Sequence, residues 1–360
     1  MSWIIAARRT AVAPVGGALR RIAVHDLAAP VIGACLADAG LGVGDVDEVI
    51  LANALGAGGN PARLAALAAG LPDRVAGLSI DRQCAGGLDA ILLAMALVDS
   101  GAARIVVAGG AESTSRRPLR LATDPDGAAP VAYDRPPFTP FADRDPDMHA
   151  AGARLAMDLG LGRDRLDAWA VASHAKALAA QSALRAEIVP LGGLDHDAFA
   201  RALSPAVAAR AKVLSGGITT ANAAVSADAA AFVIVARNGL GARPLRLLAG
   251  ATRGAAPDVP GLAPIIAIME VLARAGTLPG QVAMSEVMEA YAAQVIATIE
   301  AVGLDPARVN CQGGALARGH PIGASGAILA VRLFHGMRQG YGLAAIAAAG
   351  GIGTALLVER

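Results

Sequence analysis

Two distant stretches of this chain repeat one order of parts. In "CAGGLDAILLAMALVDSGAARIVVAGGAES" (84–113) a loop residue precedes a small-residue helix start, then come an apolar helix, a buried strand and a Gly-Gly turn. In "HPIGASGAILAVRLFHGMRQG" followed by "YGLAAIAAAGGIGT" (320–354) the same order returns. Two copies of one α/β unit pack as similar halves about a pseudo-twofold axis, which brings their equivalent loops together. Cys84 belongs to one such loop, and His320 lies just before the other. An alanine- and glycine-rich chain also produces such likeness by chance, so the repeat needs support from the rest of the sequence.

That support comes from alternation. The β-like runs "DEVILAN", "ARIVVAGG", "AAFVIVAR" and "LRLLAGATR" alternate with Ala/Leu-rich helical runs at 24–40, 60–70, 86–101 and 262–275. Such alternation predicts an α/β fold with sheets covered by helices. The middle departs from it. Residues 116–146 are rich in Pro, Asp and Arg without periodicity, and helical "DRLDAWAVASHAKALAAQ" follows, so this part reads as an excursion until the core resumes near residue 226.

Composition narrows the function classes. The 360 residues carry a net charge of +1, Lys+Arg 31 against Asp+Glu 30, so no electrostatic footprint for nucleic acid or acidic lipid is present. Three cysteines without close spacing argue against a disulfide framework or a zinc site and for a reducing, cytoplasmic compartment. Mean hydropathy is +0.51, and "GYGLAAIAAAGGIGTALLV" is long enough to raise the question of a membrane span. Gly350 and Gly351 break that run in the middle, which predicts two short strands around a glycine turn. The N-terminus lacks a long apolar region before its arginines, so no secretory leader and no membrane partner are expected.

The chemistry centres on Cys84. A thiol reacts as its thiolate, which a helix N-terminus and a nearby imidazole both favour. The glycines that follow Cys84 leave its backbone open to an acyl group, and its own N–H can donate to an oxyanion. The alternative is a small core residue at a tight strand–helix turn. His320, between Gly319 and Pro321 in "NCQGGALARGHPIGASGA", can take the thiol proton and later hydrogen-bond a thioester oxygen. The Gly-rich turn in "AAAGGIGTALLVE" offers backbone N–H groups to an anion.

At these points the sequence resembles the thiolase family, over nearly the whole chain. "WIIAARRTAVAPVGGALRRIAVHDLAAPVI" looks like the family's opening, "NPARLAALAAGLP" its helix beside the dimer interface, and "VVAGGAES" its strand after the nucleophile helix. "EVMEAYAAQ" stands where the family has Glu-hydrophobic-Asn-Glu-Ala-Phe, and "GGALARGHPIGASGA" is close to the family signature. The resemblance implies a five-layered αβαβα core of two similar halves. Residues 1–118 with 226–244 would form the N-terminal half, 119–225 an inserted loop domain, and 245–360 the C-terminal half. It implies an acyltransferase with a thioester on Cys84, activated by His320, and oxyanion donors from the N–H groups of Cys84 and Ala349. The donor would be a coenzyme A thioester or an acyl carrier thioester, with no resident cofactor or metal, in a homodimer or homotetramer.

The departures limit that inference. The family's second cysteine, the acid/base for the substrate α-carbon, is replaced by Ala347, and the asparagine that anchors a water in its other oxyanion hole by Met288. The pantetheine-facing serine becomes Ala224, Ser204 replaces an arginine, and the loop segment is shorter than usual. Met148 and His149, in the loop that lines the family's pocket, join Ala224 as candidate pocket residues, and His149 is a candidate substitute base. The expected function is acyl transfer through Cys84, with acetyl-CoA acetyltransferase-type condensation or thiolysis weakened. A catalytically weak subunit of a larger complex is the second reading.

Overall fold

The computed structural model describes residues 1–56, 58–241 and 243–360. Its main sheet runs, in spatial order, through Val282–Val287, Tyr341–Ala348, Ile352–Glu359, Leu245–Gly254, Trp3–Thr10, Ala227–Ala236, Ile105–Ser113, Glu48–Ala52 and Leu78–Ile80. The four runs read from sequence as strands all lie in it. The first four strands of this order belong to the C-terminal half and the rest to the N-terminal half. They join through a short antiparallel contact, Trp3 with Arg246 and Ile4 with Leu245.

The chain doubles back so that two helices, Gly86–Ser100 and Ile322–Gly336, fill the space between the half-sheets. Val24–Ala39 and Pro61–Ala68 cover the outer face of one half, and Ala263–Arg274 and Ala292–Val302 that of the other. Five layers result, and the strands show why. Side chains alternate across a pleat: Val106 and Leu356 face the inner helices, while their neighbours Val107 and Leu357 face the outer ones. The central strand Ala227–Ala236 is buried at every position, as its apolar run from Ala229 to Ala236 requires.

The C-terminal apolar stretch is two antiparallel strands joined at Gly350 and Gly351, which take φ 77° and 76°. Among the described residues one helical window, Gln83–Ser100, is long and apolar enough to cross a membrane, but half of it is buried as part of the inner layer.

Two expectations about glycines need correction. The Gly-Gly pair of the first repeat forms no turn, because Gly109 and Gly110 lie inside the strand Ile105–Ser113. A Cβ on Gly110 would stand 1.9 Å from the carbonyl oxygen of Gly323. Nor do the glycines after Cys84 serve to open its backbone to substrate. A Cβ on Gly87 would be 2.7 Å from both Ala327 N and Gly323 O, and one on Gly326 would be 2.4 Å from Leu88 N. These glycines let the two central helices and the strand beside them touch backbone to backbone. Gly110→Ala is therefore expected to lower stability by roughly 1–3 kcal/mol, measured by denaturant unfolding. An unchanged midpoint would show that the contact has slack.

The excursion is partly structured. Short strands Arg120–Ala122 and Val131–Tyr133 pair in the open, and helices Met148–Asp158 and Arg163–Ala179 follow. Leu166, Ala170, Leu203 and Ile218 pack with Ile296 and Leu316 of the C-terminal half. Buried ion pairs tie the segment to both halves as well. Arg9 reaches Glu187 at 2.6 Å and Asp197 at 2.6 Å, and Arg332 also meets Glu187. Burial opposes ionisation of Glu187, yet Arg332 and Arg9 hold its carboxyl at about 2.

Candidate active site

Cys84 stands at a strained turn. The strand Leu78–Ile80 ends one residue before Asp81, whose carboxylate accepts the N–H of Gln83 at 2.8 Å. Gln83 is held at φ 49°, a left-handed conformation that costs a non-glycine residue about 1–3 kcal/mol. The turn Gln83–Ala85 then presents Cys84 immediately before the helix Gly86–Ser100.

His320 arrives from the other half of the molecule. Its N–H donates to Val225 O at 2.7 Å, and Gly319 before it takes φ 110°. The ring bridges two partners: Nδ1 lies 2.6 Å from Ser325 Oγ and Nε2 lies 3.1 Å from Cys84 Sγ. Ser325 donates its own hydrogen to Pro321 O at 3.0 Å. Its oxygen therefore accepts from Nδ1–H, which leaves Nε2 as a lone pair facing the thiol.

The electrostatics reverse the simple helix-start expectation of a stabilised thiolate. Burial pushes the Cys84 thiol up to about 12, helped by Glu112 and Asp81 and opposed by the N–H groups of Cys84 and Ala349. Burial pulls His320 down to about 4. At neutral pH the resting pair is thus a thiol and a neutral imidazole. The N–H groups of Cys84 and Ala349 both stand at the sulfur.

A cavity of about 280 Å³ opens beside the pair. Of the residues singled out from sequence, Cys84, His320, Ala347, Ala349, Met148, His149 and Ala224 all line it. Met288 is not among the lining residues. Its side chain is 2 % exposed in the cluster between the half-sheets, and its N–H donates to Ala345 O. Ser204 caps the short helix Pro205–Ala209 through the N–H of Val207.

Several functional groups escaped the sequence reading. Ser325 fixes the imidazole tautomer. Tyr291 lines the cavity, and its hydroxyl lies 3.0 Å from His149 Nδ1. Gln294 also lines it, 2 % exposed, with neither amide atom hydrogen-bonded. Two carboxylates brace the loops. Glu289 accepts from Trp169 Nε1, Ser173 Oγ, Asn310 Nδ2 and Leu316 N, and Glu112 accepts from Asn53 Nδ2 and the N–H groups of Ala54, Leu55 and Gly323. Glu112, Glu289, Tyr291, Gln294 and Ser325 all lie within the stretches that resemble the family, and their polar types there were the signal that could have found them. Among the described residues no group of three or more His, Cys, Asp or Glu stands close enough to hold a metal ion.

Comparison with known proteins agrees with this architecture. The family model "Thiolase, N-terminal domain" matches residues 2–239, and "Thiolase, C-terminal domain" matches 244–360. The chain is 39 % identical to the Bacillus subtilis protein YhfS, over 99 % of this chain and 98 % of that one. It is 37 % identical to an acetyl-CoA acetyltransferase of Cupriavidus necator, again over 99 % and 98 %. A solved structure of Acat5 thiolase from Ascaris suum, in complex with coenzyme A, superposes with a TM-score of 0.91 at 30 % identity, covering 100 % of this chain and 99 % of that one. With both halves matched from end to end, the chain belongs to the thiolase family of acyltransferases.

Proposed function

We propose that the protein transfers acyl groups through a thioester formed on Cys84, drawn from an acyl-coenzyme A. The observation that carries this is the 3.1 Å contact between the Cys84 thiol and the unprotonated Nε2 of His320. The sulfur adds to the thioester carbonyl carbon as its proton passes to Nε2. The carbonyl oxygen takes up the electron pair and meets the N–H groups of Cys84 and Ala349. The tetrahedral centre then collapses, the carbon–sulfur bond to coenzyme A breaks, and the departing thiolate takes the proton from His320.

The names of the relatives favour acetyl-CoA as donor, and the coenzyme A complex of the Ascaris thiolase favours coenzyme A over a carrier protein. Condensation and thiolysis also need a proton moved at the α-carbon, and Ala347 cannot move one. Acylation is accordingly the better-equipped half of the reaction. Intact-mass measurement after exposure to acetyl-CoA and a panel of longer acyl-CoA thioesters tests this. An adduct on Cys84 supports it, and no adduct from any donor overturns it in favour of the weak-subunit reading.

The pH dependence follows from the two shifts. The base form of His320 is lost only as pH falls through about 4, and the thiol form of Cys84 only as pH rises through about 12. Single-turnover acylation is expected to be level across neutral pH, without a step near the ordinary imidazole value of about 6.5. An acid limb near that value would show that a solvated imidazole controls the rate.

The same reading extends to assembly and surroundings. Leu64, Leu67, Leu78 and Leu93 are exposed around the sheet-edge strand Leu78–Ile80, which suits a homodimer or homotetramer formed through the Cys84-bearing half. Light scattering at micromolar concentration tests it, and a monomer would refute it. Residues 1–118 with 226–244, and 245–360, would then be the two halves, and 119–225 the cover over the cavity. Three free cysteines suit a reducing cytoplasmic setting.

A further inference from the structure

A methyl at position 347 leaves the cavity without the thiol that would exchange a proton with the substrate α-carbon. We propose that Tyr291 and His149 together are the acid/base at that carbon, with the Tyr291 hydroxyl facing the substrate and His149 Nδ1 behind it. This rests on the acyl-transfer reading above.

Both side chains line the cavity that holds Cys84, His320 and Ala347. The phenol oxygen lies 3.0 Å from His149 Nδ1, with the rings edge to face, 5.8 Å between centroids and 89° between planes. Each partner is held by its own element. Asp147 accepts the N–H groups of His149 and Ala150 at 2.9 Å and 3.1 Å, which fixes His149 in the first turn of the helix Met148–Asp158. The Tyr291 ring lies against Gly152, where a Cβ would come within 3.2 Å of it, so the absence of a side chain there makes the slot. On its other flank the Tyr291 backbone bridges to Ala223. Burial pushes the phenol pKa up, and Asp147 and Cys84 add to the shift, so the hydroxyl keeps its proton and sits within electrostatic reach of the sulfur. A protonated phenol donates to Nδ1, which makes the imidazole the eventual proton holder.

In condensation the α-carbon–hydrogen bond breaks and its proton goes to the Tyr291 oxygen, as the hydroxyl proton moves to His149 Nδ1. The freed electron pair attacks the carbonyl carbon of the Cys84 thioester. A carbon–carbon bond forms and the carbon–sulfur bond to Cys84 breaks. The proton held on His149 returns through Tyr291 to the Cys84 sulfur, leaving every group neutral. Thiolysis runs the same steps backwards.

The direct test is exchange of the acetyl-CoA methyl protons for deuterium in D2O, followed by NMR, beside Cys84 acylation followed by intact mass. In His149→Gln and Tyr291→Phe, exchange is expected to fall about 100-fold or more relative to acylation. Adding Ala347→Cys to either variant is expected to restore it, which a defect of cavity shape would not allow. Exchange that persists in either single variant, or an unmodified protein that acylates Cys84 yet exchanges nothing, overturns the proposal. An unmodified protein that forms no acyl-Cys84 instead refutes the acyl-transfer reading beneath it.

Discussion

His320→Ala is expected to slow acylation of Cys84 by roughly 10²–10⁴-fold, the contribution of one positioned general base. The thiol sits at about 12, so the thiolate fraction at neutral pH is about 10⁻⁵. An unassisted reaction must run through that fraction, whereas the native pair moves the proton across a 3.1 Å contact as attack occurs. The substitution spares the surrounding scaffold, because Ser325 keeps its bond to Pro321 O and the His320 N–H its bond to Val225 O. Quenched-flow intact mass on both proteins measures the ratio, and added imidazole should recover part of the rate. Equal rates would remove His320 as the base while leaving Cys84 as the nucleophile.

In the Tyr291→Phe background, Ala347→Cys is expected to raise acetoacetyl-CoA thiolysis by about 10²-fold, the lower end of what a positioned acid/base contributes. Position 347 is the penultimate residue of the strand Tyr341–Ala348, pairs with Gly353, and lines the cavity. A thiol there faces the space beside Cys84 and displaces only a methyl. Met288→Asn is a poorer change than alignment with the family suggests. Met288 packs between the half-sheets, so an amide there would be buried without a partner at a cost of about 1–3 kcal/mol. Loss of the enolate absorbance gives the rate. No gain from Ala347→Cys, with acylation intact, would show that 347 does not face the α-carbon.

The order of helix and strand within each repeat and the meeting of Cys84 with His320 were legible because hydrophobic period and local motif carry them. "AAFVIVAR" is short and rich in β-branched and aromatic residues, which favours a buried strand, and a histidine between glycine and proline has little reason to be core. What stayed hidden depends on partners far apart in sequence. Glycine has one letter for two duties, so Gly109–Gly110 looked like the turn that Gly350–Gly351 is. The thiol's direction of shift was missed because a helix start favours the anion while burial in the cavity floor disfavours it more. Tyr291 and His149 lie 142 residues apart, and neither announces the other. The network of Arg9, Glu187, Asp197 and Arg332 was equally invisible, since each alone reads as a solvated charge.

The placement of the first strand has a consequence for biosynthesis. Trp3–Thr10 pairs with Ala227–Ala236 on one side and touches Leu245 and Arg246 on the other, with Arg9 opposite Ala231. None of these strand neighbours exists until the chain has been made past residue 226. At ~5–20 residues per second, the strand waits for some tens of seconds with an unpaired edge, and its guanidinium Arg9 waits for Glu187 and Asp197. Closure of such sequence-distant pairs is slow, so the nascent half-sheet is the stage at which chaperone capture or aggregation competes with productive folding.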